Sequence, residues 1–219
     1  MSIVRETRGK CSRCSSEHTL KVWRSINVSE DPSLRDKVRD GSLFVWECPA
    51  CHQMNLARYE TLYHDPERKL MVWLLPTGEV PESEMSAITN HTKAMGDYCL
   101  RRVSDVSSLM EKVLINEAGL DDVVVEMCKY VTKAEMASKA GEANAPAVLS
   151  MPMHFYRRGE QDGQEFITLS FPDNGKMVGC NIGWNVYEDC MAILRRNPSI
   201  RPAEGFAKVD SDWLNSIMQ

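Results

Sequence analysis

The sequence predicts an α+β fold, and three observations carry that expectation. Segments of period-two alternation surround two Cys-x-x-Cys pairs in the first third. Apolar residues recur at helical spacing through the middle, and a further set of alternating segments with a tight-turn signal follows Met151. With 219 residues, 43% of them hydrophobic, the chain can bury a real core and has length for one large domain or two small ones.

The first region reads as an antiparallel sheet. From Thr19 to Ile26 the chain alternates, with Leu20, Val22 and Ile26 on one face and Lys21, Trp23 and Ser25 on the other. A short helix follows, with Asp31 as N-cap, Pro32 as first helical residue, Leu34 and Val38 four apart, and Gly41 as terminator. Strands are then expected from Leu43 to Glu47 into Cys48, from Met54 to Glu60 out of the second pair, and from Leu70 to Leu75. The insert between the cysteine pairs is therefore structured, and it brings both pairs together at strand ends.

Residues 76–95 mix proline, serine, threonine and acids, and 81–95 are expected to link a domain at 1–80 to one at 96–219. A central helical hairpin comes next. Cys99, Val103, Val106, Met110 and Val113 recur at steps of four and three across 96–118, Gly119 breaks the pattern, and Asp121 can cap a second helix bearing Val124, Cys128 and Val131. After Met151 the period returns to two, through Met153 and Phe155, then Gln164 to Phe171, and, after Asp173-Asn174-Gly175, Lys176 to Ile182. That is a three-stranded antiparallel meander. Two helices complete the chain: Trp184 to Arg195, stopped before Pro198, and a short one capped by Asp210 that carries Trp213, Leu214 and Ile217.

Charge excludes little but weighs against one class. The net charge is −5, yet the first 75 residues hold 12 Lys and Arg against 10 Asp and Glu. A surplus of two is far below the basic stripe of a nucleic-acid binder. No run approaches the roughly 18 apolar residues of a membrane span, so a cytoplasmic protein with no membrane partner is expected. Cys99, Cys128, Cys180 and Cys190 sit among apolar neighbours and read as reduced core thiols.

Cys11 with Cys14 and Cys48 with Cys51 are different in kind. A two-residue spacer curls the backbone so that both sulfurs face one ion, and two such pairs complete a tetrahedron, which makes zinc in a zinc-ribbon-like sheet the expected cofactor. Residues 15–47 intervene, a longer gap than the usual 15 to 20, but loop closure raises the cost by only about 0.5 kcal/mol. Structural zinc supplies roughly 10–16 kcal/mol. The alternatives are four unrelated thiols, or iron in a rubredoxin-like site, which four cysteines also accept. Against iron, Cys14 precedes Ser15-Ser16 and Cys51 precedes His52-Gln53, where rubredoxins carry a glycine and an aromatic residue. His52 stands where metal knuckles often place glycine.

Taken in order, Cys11-x-x-Cys14, Asp31-Pro32, Asp40-Gly41-Ser42-Leu43-Phe44, Cys48-Pro49-Ala50-Cys51 and Tyr63-His64-Asp65 resemble the bacterial CpXC-domain family over about the first 130 residues. The resemblance implies a zinc-binding module and names no activity for it.

Four thiolates fill a zinc shell and leave no site for water, so hydrolysis at the metal is not expected. Nitrogen from His18, His52 or His64 would make the shell mixed. The expected function is a non-enzymatic interaction module whose zinc holds a partner-binding surface, the partner being another protein. Trp23, Trp46 and Trp73 are candidates for that surface, with a core role preferred. The alternatives are an enzyme in the C-terminal region using His154, Tyr156 and Cys180, and a nucleic-acid-associated zinc-ribbon protein. His64 and Asp65 read as a strand end whose side chains point to opposite faces, rather than as an acid–base pair.

Overall fold

The computed structural model describes residues 2–76, 80, 82–93 and 96–218. They form a mixed α+β structure of two compact units, Met1–Val113 with Ala203–Ala207, and Leu114–Pro202 with Lys208–Gln219. Among the described residues no helix is long and apolar enough to cross a membrane.

In the first unit, β1 (Ile3–Lys10) and β2 (Glu17–Asn27) form an antiparallel ribbon. After α1 (Ser33–Arg39) and a single 3-10 turn at Ser42–Phe44, β3 (Val45–Glu47) and β4 (Met54–Leu56) make a small hairpin of their own. β5 (Thr61–Asp65), β6 (Leu70–Leu74) and β7 (Cys99–Val103) then complete a five-stranded sheet of order β1-β2-β5-β6-β7. The sheet is mixed rather than antiparallel, because β2 pairs with β5 and β6 with β7 in parallel. Parallel neighbours need a crossover of a dozen or more residues. The stretch expected to act as a linker is such a crossover, and it contains helix α2 (Glu82–Lys93).

The helix expected from residue 96 therefore starts ten residues later. Cys99 to Val103 fit a helical stripe by spacing, but the backbone is extended, and only α3 (Val106–Glu117) is helical, with Asp105 accepting from the Ser108 N–H at 2.8 Å. Asp31 does not cap α1 through its side chain; its carbonyl accepts the Leu34 N–H at 3.0 Å, and the helix opens after Pro32. Gly41 ends α1 as expected, at φ 75°. Leu43 and Phe44, expected as strand, lie in the 3-10 turn.

β6 shows why the unit holds together. All five of its residues are buried, with Leu70, Val72 and Leu74 in a cluster that includes Ile26, Val38, Phe44, Tyr63 and Leu109, and Met71 and Trp73 in a second cluster with Met85, Leu100 and Phe206. A strand covered on both faces reads as a continuous apolar run, which is what its sequence LMVWL is.

In the second unit, α4 (Asp122–Ala140) opens on the Asp121 side chain, which accepts the Val123 N–H at 2.8 Å. α5 (Ala145–Ser150), absent from the sequence expectation, follows. The meander is β8 (His154–Gln161), β9 (Gln164–Asp173) and β10 (Lys176–Gly183), in the order β10-β9-β8. Both of its turns use a residue pair in the left-handed region, Asp162-Gly163 and Asn174-Gly175. α6 (Trp184–Arg196) and α7 (Ser211–Met218) match their expected places, and the Asp210 carboxylate accepts the Trp213 N–H at 3.0 Å. Phe155, Ile167, Leu169, Val124, Cys128, Tyr187, Cys190 and Leu214 form one core.

Candidate metal centre

Each Cys-x-x-Cys pair is the tip of a hairpin, the first between β1 and β2 and the second between β3 and β4. The two tips are built alike. The Ser15 N–H returns to the Cys11 carbonyl at 3.0 Å and the Cys11 N–H reaches the Ser16 carbonyl at 2.9 Å; the His52 N–H returns to Cys48 at 2.8 Å and the Cys48 N–H reaches Gln53 at 2.9 Å. Closing this turn forces the residue after the second cysteine into the left-handed region, at φ 60° for Ser15 and 57° for His52. Glycine adopts that conformation without strain, so both positions depart from the usual choice.

The turns bring four sulfurs together. Cys11 Sγ lies 3.6 Å from Cys51 Sγ, Cys14 Sγ lies 3.6 Å from Cys48 Sγ, and all four sit within 4.8 Å of one another. Bonds of about 2.3 Å to a tetrahedral ion place sulfurs about 3.8 Å apart, so this spacing fits a metal, while a disulfide would need about 2 Å. Cys11 and Cys48 are buried, Cys51 is half-buried and Cys14 is exposed.

The surroundings favour thiolate in part of the cluster. The Ser16 hydroxyl, 3.4 Å from Cys48 Sγ, leads the groups that hold that thiol down to about 5, with the N–H groups of Ala50 and Cys51 adding to it against burial. Backbone N–H groups of Cys14 and Arg13 lower Cys11. At Cys51 the Gln53 N–H pulls downward, but burial and the other three sulfurs push the thiol up to about 12. Four sulfurs this close cannot all carry negative charge without a cation among them.

Three residues that sequence reasoning passes over, or weighs only as ligands, complete the setting. Asn55, buried on β4, bonds to the first tip through Ser12 and to the second through the Gln53 carbonyl. Ser16 Oγ lies 3.0 Å from Cys14 Sγ and 2.8 Å from His18 Nε2. His18 itself is 3.6 Å from Cys48 Sγ and stands edge-on to Trp46. Their only sequence signal is position, two to four residues beyond a cysteine pair.

The other candidates lie elsewhere. His52 pairs with Glu47 at 2.6 Å on the surface, and His64 bonds Tyr98 at 3.1 Å, its pKa lowered first by burial. Asp65 is buried and faces Arg35 at 3.0 Å, on the opposite side of β5 from His64, as alternation requires. His154 and Cys180 do not meet. β9 lies between their strands, and Phe155, Leu169 and Cys180 form one cross-strand row while His154, Ser170 and Gly179 form the next, on the opposite face. Tyr156 is exposed, and burial raises the Cys180 thiol. Trp73 is buried and donates to Glu60 at 3.0 Å, Trp23 packs on the main core, and Trp46 is half-buried.

A family model described as CpXC protein matches residues 10–129, more than half of the chain. The chain belongs to the CpXC family. The match spans both cysteine turns and ends within α4, so the meander lies outside the CpXC region. Comparison with curated proteins and with solved structures finds no match.

Proposed function

We propose that this CpXC protein is a non-enzymatic interaction module whose four cysteines hold a structural zinc ion, and that the ion fixes a surface for a partner protein. The observation that carries this reading is where the second turn sits. It joins β3 to β4, and the outward face of that hairpin leaves Val45, Met54 and Leu56 exposed at 42%, 55% and 50%. Beside it opens a cavity of about 400 Å³, with Val45, Leu56, Pro76, Val106 and Met110 as its apolar lining and Arg58 among its polar groups. Solvent-facing apolar side chains next to a pocket, with a charged rim, are the makings of a protein contact.

Bound zinc supplies a fixed positive centre and no exchangeable position when four thiolates surround it. The chain's own part is to hold the two turns and, through the second, the three-residue strands of the hairpin, which are too short to be stable alone. A photo-crosslinking side chain placed at position 54 or 56 in the source cell tests the reading. The expected result is a discrete protein adduct that is lost in Cys48→Ser. An adduct that survives Cys48→Ser, or one formed from position 156 and not from 54 or 56, overturns it.

A further inference from the structure

We propose that Asn55 is the positioning residue of the metal centre, a clamp that sets the two cysteine turns at metal-binding distance; the inference rests on the reading of the four cysteines as a metal site. The residue is 8% exposed, and every hydrogen-bonding capacity of its side-chain amide is engaged. Oδ1 accepts from the Ser12 N–H and from the Ser12 hydroxyl, each at 2.9 Å. Nδ2 donates to the Gln53 carbonyl at 2.7 Å and points its second proton at Cys11 Sγ, 3.7 Å away.

The four contacts tie one turn to the other. Ser12 and Cys11 belong to the first tip, Gln53 to the second, and 43 positions separate Ser12 from Asn55. Aspartate has the same shape but no donor, so it would set an oxygen against the Gln53 carbonyl and add a charge beside Cys11. Leucine has the same bulk and leaves four groups without their partner. Aspartate keeps the acceptor for Ser12 but loses the N–H that supports sulfur in its thiolate form, whereas leucine loses both the link to Ser12 and that N–H.

Ser16 makes a contrast that sharpens the assignment. Its hydroxyl has a single proton and three neighbours, Cys14 Sγ at 3.0 Å, Cys48 Sγ at 3.4 Å and His18 Nε2 at 2.8 Å, so it donates to one of them at a time. It serves one sulfur at a time and holds neither turn in place, whereas Asn55 serves all of its partners at once.

The test is competition for zinc with a chromogenic chelator, together with the sulfur-to-cobalt charge-transfer band of the cobalt form, in wild type, Asn55→Asp, Asn55→Leu, Ser12→Ala and Ser16→Ala. Asn55→Asp and Asn55→Leu are expected to bind metal about 10- to 100-fold more weakly, the usual reach of a group behind a ligand. In both, the charge-transfer band should shift while the visible pattern stays tetrahedral. Ser16→Ala is expected to change affinity by less than about threefold. A role in folding alone would lower thermal stability, and apparent affinity with it, while leaving the charge-transfer band unmoved, and that result overturns the proposal. Should the Asn55 variants not fold, Ser12→Ala on the exposed turn carries the test, with a loss of about threefold expected for one hydrogen bond and no loss overturning it. Wild type that takes up no metal contradicts the site itself, an outcome distinct from a variant that binds as well as wild type.

Discussion

Two parts of this molecule are built from antiparallel hairpins, and they are held by different means. In the meander β8-β9-β10, two-residue turns close the hairpins and one face carries a buried row that includes Phe155, Ile167 and Leu169. At the cysteine end, the turns are Cys-x-x-Cys tips. β1 is exposed along nearly its whole length, and β3 and β4 have three residues each. Apolar burial orders the first kind of hairpin. At the second it is too sparse, and convergence on one ion takes its place, as expected where a sheet is small.

The largest effect should come from breaking the metal end. Cys48→Ser, or removal of metal by chelator, is expected to abolish amide protection at residues 10–18 and 45–56 while leaving β8–β10 protected, because roughly 10–16 kcal/mol of metal binding has no counterpart in the meander. Hydrogen exchange followed by mass spectrometry reads this directly. Loss of protection in both places would show that the two are ordered together.

The converse experiment is Leu169→Ala. Leu169 is fully buried, so the change should cost about 2–5 kcal/mol in denaturant unfolding of the second unit, with zinc affinity unchanged. A weaker metal site in that variant would show that the two kinds of hairpin are not held independently.

The same contrast explains what is legible in the sequence. The cysteine spacing, the α4 cap at Asp121, the Asn174-Gly175 turn and the start of α6 at Trp184 are local patterns, and each is found where the sequence predicts it. β1 gives no such signal because it buries no face, so its sequence IVRETRGK lacks an apolar alternation. β7 reads as helix because Cys99 and Val103 are four apart, a spacing that fits both a helix face and a strand face; its pairing with β6, which decides the matter, is non-local. Asn55 is hidden for a related reason. Its contacts with Cys11 and Ser12 join residues more than 40 apart, and asparagine near a turn carries no signal of its own.

Smaller effects separate the turns themselves. Gly175→Ala forces a side chain onto a residue at φ 76° and should destabilise the meander by about 1–2 kcal/mol, measured by thermal unfolding. His52→Gly runs the other way. It relieves the left-handed histidine at φ 57° but gives up the exposed bond to Glu47, so a gain of no more than about 1 kcal/mol at the metal end is expected, read as tighter zinc retention. A loss of that size or more would mean that the His52–Glu47 pair, rather than backbone conformation, governs the stability of that turn.

X-ray absorption at the metal edge of protein prepared without added metal reads the four-cysteine site itself. The expected result is one zinc ion per chain with four sulfur neighbours at about 2.3 Å and no lighter ligand. A shell containing nitrogen, for which His18 at 3.6 Å from Cys48 Sγ is a candidate, or a chain purified gently and found without metal, would contradict it.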